Sequence, residues 1–165
     1  MRQTNFTFRT WLYVIMTIVA AMMMTILPIP QILIWVRPLW VPAVVFYWAL
    51  AVPERFSLGA AFIVGIFLDV LMGTLLGENA FALAAAVFFL TKFHVRIRLF
   101  PRWQQALIVC MLSLCYLALL FWMQGLIGQP PLTWQFWTPA ISTALLWPWL
   151  FVMLRDYRRR SSSIR

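Results

Sequence analysis

The sequence predicts an all-α integral membrane protein built as a bundle of six transmembrane helices. Of its 165 residues, 64% are hydrophobic and 10% are charged, against roughly 25% charged in an ordinary soluble domain. The apolar residues form long runs that are separated by short segments containing proline, glycine or charge. A soluble core of this size cannot hide so much apolar surface, so the chain requires lipid as its solvent.

The positions of the positive charges predict the topology. With the N-terminus in the cytoplasm, all Lys and Arg residues but one fall on the cytoplasmic side: Arg2, Arg9, Arg55, Lys92, Arg96, Arg98, Arg102, Arg155, Arg158, Arg159, Arg160 and Arg165. The exception is Arg37. This bias predicts an even number of spans with both termini cytoplasmic. The net charge of +9 therefore indicates membrane orientation and not nucleic-acid binding.

The first two helices are predicted at about 11–27 and 39–52. A cleaved signal peptide is the alternative for the first, but its apolar run is long and further apolar runs follow, so we expect a retained helix that ends at Pro28. The residue before a proline avoids helical geometry, so Arg37 marks the membrane interface ahead of the second helix. Arg37 is expected to reach the lipid surface; the alternatives are a partner protein or an acid across the bundle.

The third helix, about 57–75, carries small residues and one acid at every fourth position: Ser57, Ala61, Gly65, Asp69, Gly73 and Gly77. Positions four apart lie nearly above one another on a helix. Such a stripe allows a second helix to approach backbone to backbone in a membrane. We expect this groove to face lipid and to accept the transmembrane helix of a partner.

A fourth helix is predicted at about 79–93, with Asn79 as its N-cap and alanines in its first half that suit close packing against the third. The fifth and sixth helices are predicted at about 104–127 and 134–154. Residues 1–154 would thus form one membrane domain. Between spans, 92–102 is predicted to be a basic cytoplasmic loop, and 155–165 a basic cytoplasmic tail that is disordered or lies on lipid head groups. The loop and the tail would contact anionic lipid or cytoskeletal protein.

The polar residues are too few and too scattered to predict catalysis. The chain has four acids (Glu54, Asp69, Glu78 and Asp156), one histidine and two cysteines. It lacks the spacing of a metal site, a phosphate-binding loop or a catalytic triad. We therefore predict no catalytic, cofactor-binding or metal-binding residues and no enzyme activity.

Asp69 is the one acid that the sequence places deep within an apolar run. A charge facing hydrocarbon costs at least ~2.5 kcal/mol, so Asp69 needs a partner or a wet cavity. It could carry a proton, bind an ion or anchor a partner helix. The alternative, which we favour, is a buried acid that is either protonated or hydrogen-bonded to a neighbour and fixes the third helix in the bundle.

Several short motifs occur together in the order found in one bacterial family. They are Val36-Arg37-Pro38-Leu39-Trp40, Val52-Pro53-Glu54-Arg55, the Gly65, Asp69, Gly73 and Gly77 stripe, Trp103-Gln104-Gln105-Ala106-Leu107, and Leu146-Trp147-Pro148-Trp149. In these motifs, and in length and spacing from about Pro28 to Arg159, the chain resembles MreD, the rod shape-determining membrane protein, especially its proteobacterial form.

The resemblance implies a non-catalytic inner-membrane scaffold of the cell-elongation machinery (the elongasome), which helps to position peptidoglycan synthesis. Its partners would be the single-span protein MreC and, indirectly, the MreB filament and RodA with penicillin-binding protein 2. Ala61, Gly65, Asp69, Gly73, Gly77 and Arg37 would be the packing or structural residues. The resemblance also implies a fold similar to the six-helix substrate-binding subunits of energy-coupling-factor transporters. The alternative function is therefore a small-molecule or lipid-intermediate binding or transport subunit on the same six helices, with Asp69 and Arg37 in its site.

Overall fold

The computed structural model describes residues 8–28, 30, 36–53, 56, 58–128, 131 and 133–162, with side chains from 11 to 156 within those ranges. Over these residues it is all-helical, as predicted. The helices are α1 (Phe8–Ile26), α2 (Trp40–Ala51), α3 (Leu58–Met72), α4 (Glu78–Leu99), α5 (Arg102–Leu126) and α6 (Thr138–Ser162), and a 3-10 turn, Trp134–Trp137, precedes α6. Glu54 and Arg55 of the Val52-Pro53-Glu54-Arg55 motif, and Ser57 of the stripe, lie outside the described residues.

Among the described residues, three segments are long and apolar enough to cross a membrane: Glu78–Leu99, Arg102–Leu126 and Trp134–Asp156. The apolar segments of α1, α2 and α3 are shorter. At 1.5 Å per residue the 12-residue α2 is ~18 Å long, whereas the hydrocarbon layer is ~30 Å thick. The six-span topology and the cytoplasmic placement of both termini therefore stay predictions.

Helix α2 forms the centre of the bundle. Every residue from Val41 to Leu50 is buried, and α2 contacts α1, α4, α5 and α6. The indole N–H of Trp48 donates to Thr17 Oγ1 of α1 at 2.9 Å, and the Tyr47 ring meets Phe151 of α6 edge-on at 5.5 Å. A helix enclosed by protein does not need to match the lipid thickness, because neighbouring protein groups cover its ends.

Hydrogen bonds between elements define two ends of the bundle. At the end that we call the Arg37 end, Arg37 bonds the last carbonyls of α1 and the Leu39 amide donates to Thr143 near the start of α6. At the other end, which we call the Arg98 end, Arg98 of α4 bonds the last carbonyls of α2. The two arginines that the topology prediction separates thus lie at opposite ends of α2.

The predicted basic loop and basic tail are mostly helical. α4 continues to Leu99, six residues beyond the expected end, because cations are favourable in the last turns of a helix. Pro101 then ends it, since Phe100 before the proline is extended. α6 likewise continues to Ser162, because no proline or glycine follows Pro148.

In contrast, α3 ends at Met72, three residues before the predicted end, because Gly73 is left-handed with φ 65°.

Candidate functional site

Asp69 lies on α3, fully buried, with its carboxylate against the first turn of α4. Oδ1 accepts hydrogen bonds from the Asn79 amide at 2.9 Å, from Asn79 Nδ2 at 2.8 Å and from Thr74 Oγ1 at 3.0 Å. Oδ2 accepts from the Gly77 amide at 2.8 Å and from the Ala80 amide at 3.4 Å. Asp69 therefore caps the N-terminus of α4 from a neighbouring helix. We call Asp69, Thr74, Gly77, Asn79 and Ala80 the α4 cap.

The turn between α3 and α4 gives the α4 cap its geometry. Gly73 and Gly77 have φ of 65° and 102°, which are values that glycine adopts without a steric penalty. The Thr74 amide donates to the Asp69 carbonyl at 3.1 Å and thus closes the end of α3. The same aspartate therefore ends one helix with its backbone and begins the next with its side chain.

The electrostatics of the α4 cap come from dipoles. Each of the five groups bonded to Asp69 is a neutral donor, and three are backbone amides at a helix N-terminus. Such amides and the helix dipole stabilise a negative charge. The arrangement accounts for a buried carboxylate without a cation, since no ion pair to Asp69 occurs among the described residues.

Helix α5 supports this turn through two side chains. Tyr116 donates its hydroxyl to Asn79 Oδ1, and Gln124 Nε2 donates to Glu78 Oε1 at 2.6 Å. Glu78 and Asn79 are almost fully buried. Asn79 was predicted to be the N-cap of the fourth helix, but it lies inside the first turn and links Asp69 to Tyr116.

The small-residue face of α3 is covered by α4 of the same chain. A Cβ added to Gly65 would lie 2.2 Å from Ala80 Cα and 2.6 Å from Ala80 N, and Ala61 is fully buried. Gly73 and Gly77 are turn residues with nothing within 4 Å of an added Cβ. The stripe does permit close approach, but in this structure the approaching helix is α4, so the face is not an open groove for a partner helix.

Arg37 covers the C-terminus of α1. Its Nη2 donates to the Met24 carbonyl at 2.7 Å and to the Thr25 carbonyl, where a cation meets the negative end of the helix dipole. The sequence predicted contact of Arg37 with the lipid surface, a partner protein or an acid, and not with the end of a helix of its own chain. The Nε atom is shielded from solvent and has no hydrogen-bond partner among the described residues.

Further polar side chains that sequence reasoning missed also bond helix ends. Arg98 Nε donates to the Leu50 carbonyl of α2 at 2.7 Å. The Nε2 of the buried Gln105 donates to the carbonyls of Ile97 at 3.1 Å and Phe100 at 3.2 Å. The sequence predicts such contacts only indirectly. A helix that ends in apolar residues leaves carbonyls that lipid cannot bond, so a polar side chain elsewhere in the chain must bond them.

Replacing Arg98 by glutamine tests whether its hydrogen bonds to the end of α2 stabilise the fold. We expect Arg98→Gln to lower the free energy of unfolding by about 1 kcal/mol, the typical net contribution of an intramolecular hydrogen bond. Arg96→Gln, at an exposed position on the same helix, should change it by less than about 0.5 kcal/mol. Thermal unfolding in detergent measures both variants. Equal losses would show that Arg98 acts only through its charge.

A cavity of about 160 Å³ lies at the Arg37 end, between the helices. Arg37 and Thr25 supply polar groups to its wall. The rest of the wall comes mainly from residues 38–42 at the start of α2, with Leu68 and Met72 of α3, Tyr116 of α5 and Pro139 of α6. Asp69 is not part of the wall. Among the described residues, no group of three or more His, Cys, Asp and Glu side chains could hold a metal ion.

The family model for the rod shape-determining protein MreD matches residues 4–157. This chain belongs to the MreD family. It is 29% identical over 158 residues to the rod shape-determining protein MreD of Haemophilus influenzae, across 96% of this chain and 97% of that protein. Membership confirms the resemblance seen in the sequence and supports a role in rod shape determination. No solved structure gives a significant match, and the similarity to energy-coupling-factor subunits stays a prediction.

Proposed function

We propose that this MreD-family chain is a non-catalytic scaffold of the cell-elongation machinery in the bacterial inner membrane. In this role it binds the transmembrane helix of a single-span partner of the MreC type. Through that partner it is linked to an MreB-like filament and to RodA with penicillin-binding protein 2. Both termini are in the cytoplasm, in accord with the distribution of Lys and Arg residues.

Beside family membership, the observation that carries the proposal is the hydrogen bonding of the Asp69 carboxylate. A residue that carries protons or ions across a membrane needs an acceptor atom that is free or faces water. Both oxygens of Asp69 are occupied by donors of its own chain, and the side chain is fully buried. Such a carboxylate supports a fixed structure and so favours a scaffold over a carrier that works through this residue.

The partner helix would contact the outer surface of the bundle, since α4 covers the small-residue face of α3. The outer surface carries exposed large side chains on several helices, for example Phe67 on α3, Phe88 on α4, Trp122 on α5 and Leu145 on α6. At the Arg98 end, the exposed Lys92, Arg96 and Arg102 and the basic end of α6 would attract anionic lipid.

Photo-crosslinking in the native host tests the proposal. A photoreactive amino acid placed singly at Phe67, Phe88, Trp122 and Leu145 should crosslink the chain to one single-span protein, from positions on one side of the bundle. The matched control is Leu83, which is fully buried on α4 and should give no intermolecular product.

Loss of the chain should also convert rods to rounded cells. Two results together would contradict the scaffold: no crosslink to a membrane partner from any outer position, and rod shape that is kept when the chain is deleted. In that case, binding and transport of a small ligand would be tested instead.

A further inference from the structure

The cavity at the Arg37 end has two unusual features in its wall. Arg37 uses Nη2 to bond the end of α1, while its Nε atom is shielded from solvent and unbonded among the described residues. The wall beyond Arg37 and Thr25 is largely apolar, with Leu68, Met72 and Pro139 among its members. Arg37 therefore places a cation in the wall of a largely apolar space.

Arg37 also lacks an anionic partner within the described part of the chain. The two acids at this end have other partners: Asp69 accepts from the amides at the start of α4, and Glu78 accepts from Gln124. Carbonyl dipoles at the end of α1 offset only part of a full charge. An anion stabilises such a cation at the membrane interface, and a guanidinium matches phosphate geometry especially well.

The size of the cavity indicates what can fill it. At about 160 Å³ it is close to the ~150 Å³ apolar cavity that holds a benzene molecule in an engineered protein. It therefore accommodates about six carbon atoms, such as a branched isoprene unit or a short length of acyl chain. It is too small for a whole lipid, whose remaining chain would extend along the outside of the bundle.

We propose that this cavity binds a phosphate-bearing lipid, with the phosphate on Arg37 and the first part of the apolar chain against Leu68 and Tyr116. A phospholipid and a polyprenyl phosphate share this chemistry. Tyr116 also bonds Asn79 of the α4 cap, so the ligand would lie against the side chain that ties α5 to α4. This inference does not depend on the proposed partner protein.

Lipid retention by the full chain tests the site. The chain is purified in neutral detergent and titrated separately with four ligands: phosphatidylglycerol, a polyprenyl phosphate, phosphatidylcholine and inorganic phosphate. Native mass spectrometry counts the ligand molecules bound per chain. Beyond any anionic lipid held at the Arg98 end, we expect one phosphatidylglycerol or one polyprenyl phosphate per chain whose binding requires Arg37. The lipid that binds this site more tightly identifies the source. Phosphatidylcholine, whose choline offsets the phosphate charge, should bind more weakly.

Two variants assign that lipid to the cavity. Arg37→Gln should weaken binding at least about tenfold, as expected on losing a hydrogen bond to a charged group. Leu68→Phe keeps Arg37 and adds volume to the apolar part, so it should also weaken binding, and thermal unfolding in detergent checks that this variant is folded. Arg102→Gln, at an exposed position of the Arg98 end, removes the same charge and should leave this lipid bound.

Three outcomes would overturn the proposal. The first is equal lipid retention in the wild type, Arg37→Gln and Leu68→Phe, which would place the lipid elsewhere. The second is binding of inorganic phosphate without any lipid. The third is a wild-type protein that retains no lipid phosphate.

Discussion

Replacing Gly65 by leucine is expected to prevent the chain from accumulating as a folded protein. A Cβ at this position would lie 2.2 Å from Ala80 Cα, 2.6 Å from Ala80 N and 3.0 Å from the Asn79 carbonyl carbon. All three are backbone atoms at the start of α4, so no side-chain rotation relieves the overlap. Overpacking a core costs about 1–3 kcal/mol when side chains can shift, and here two helices would have to separate.

The matched control is Gly125→Leu. Gly125 is also inside a helix, α5, and nothing lies within 4 Å of its added Cβ. Leucine has a better helix propensity than glycine by up to about 1 kcal/mol, so this variant should be neutral or slightly stabilising. Membrane-fraction level and thermal unfolding in detergent measure both. A Gly65→Leu protein with wild-type level and melting temperature would show that α3 and α4 do not pack as described.

This expectation changes how a loss of partner binding should be interpreted. If Gly65→Leu separates α3 from α4, it abolishes every activity of the chain, including partner recruitment. A failed pull-down with this variant alone therefore says nothing about where the partner helix binds. Substitutions on the outer surface, such as Phe67 or Trp122, avoid this ambiguity because these side chains are 60% and 63% exposed.

The stripe on α3 shows what the sequence could and could not predict. Small residues at every fourth position indicate that a helix approaches closely, but not which helix. A partner helix and the alanine-rich start of α4 satisfy the pattern equally well. The structure selects α4 because the short turn after Gly73 brings Ala80 directly onto Gly65.

The polar side chains show a second limit. Capping rules examine residues next to a helix end, and they selected Asn79 as the cap of the fourth helix. The carboxylate that caps α4 comes instead from Asp69, ten residues upstream of Asn79. Arg37 bonds carbonyls twelve and thirteen residues away, and Arg98 bonds a carbonyl 48 residues away. These contacts depend on the three-dimensional packing, which local patterns do not encode.

The same contacts suggest why so few polar residues suffice in this chain. Lipid cannot bond the free amides and carbonyls at helix ends, so each buried end needs a donor or acceptor from protein. Asp69 serves the start of α4, Gln105 its end, Arg37 the end of α1, and Arg98 the end of α2. Much of the buried polar chemistry is thus committed to holding the helices together.

The Asp69→Asn substitution is expected to lower the free energy of unfolding by about 3 kcal/mol or more. Asparagine has nearly the same shape, but its amide group is a donor and would face either the two donors that now bond Oδ2 or the three that bond Oδ1. Each buried donor left without an acceptor costs about 1–3 kcal/mol, and the negative charge at the start of α4 is lost as well.

Asp156→Asn is the matched control for this substitution. It removes the same charge from a side chain that is 55% exposed and lies 3.5 Å from Arg155, a surface pair worth at most about 1 kcal/mol. Thermal unfolding in detergent gives the stabilities, and hydrogen exchange at the amides of Gly77, Asn79 and Ala80 reports the α4 cap directly. Faster exchange at these amides, with slow exchange kept in the middle of α5, would locate the loss at the start of α4. Unchanged exchange and melting in Asp69→Asn would mean that the carboxylate does not hold this helix, and a transported proton or ion would then become the better account of a buried acid.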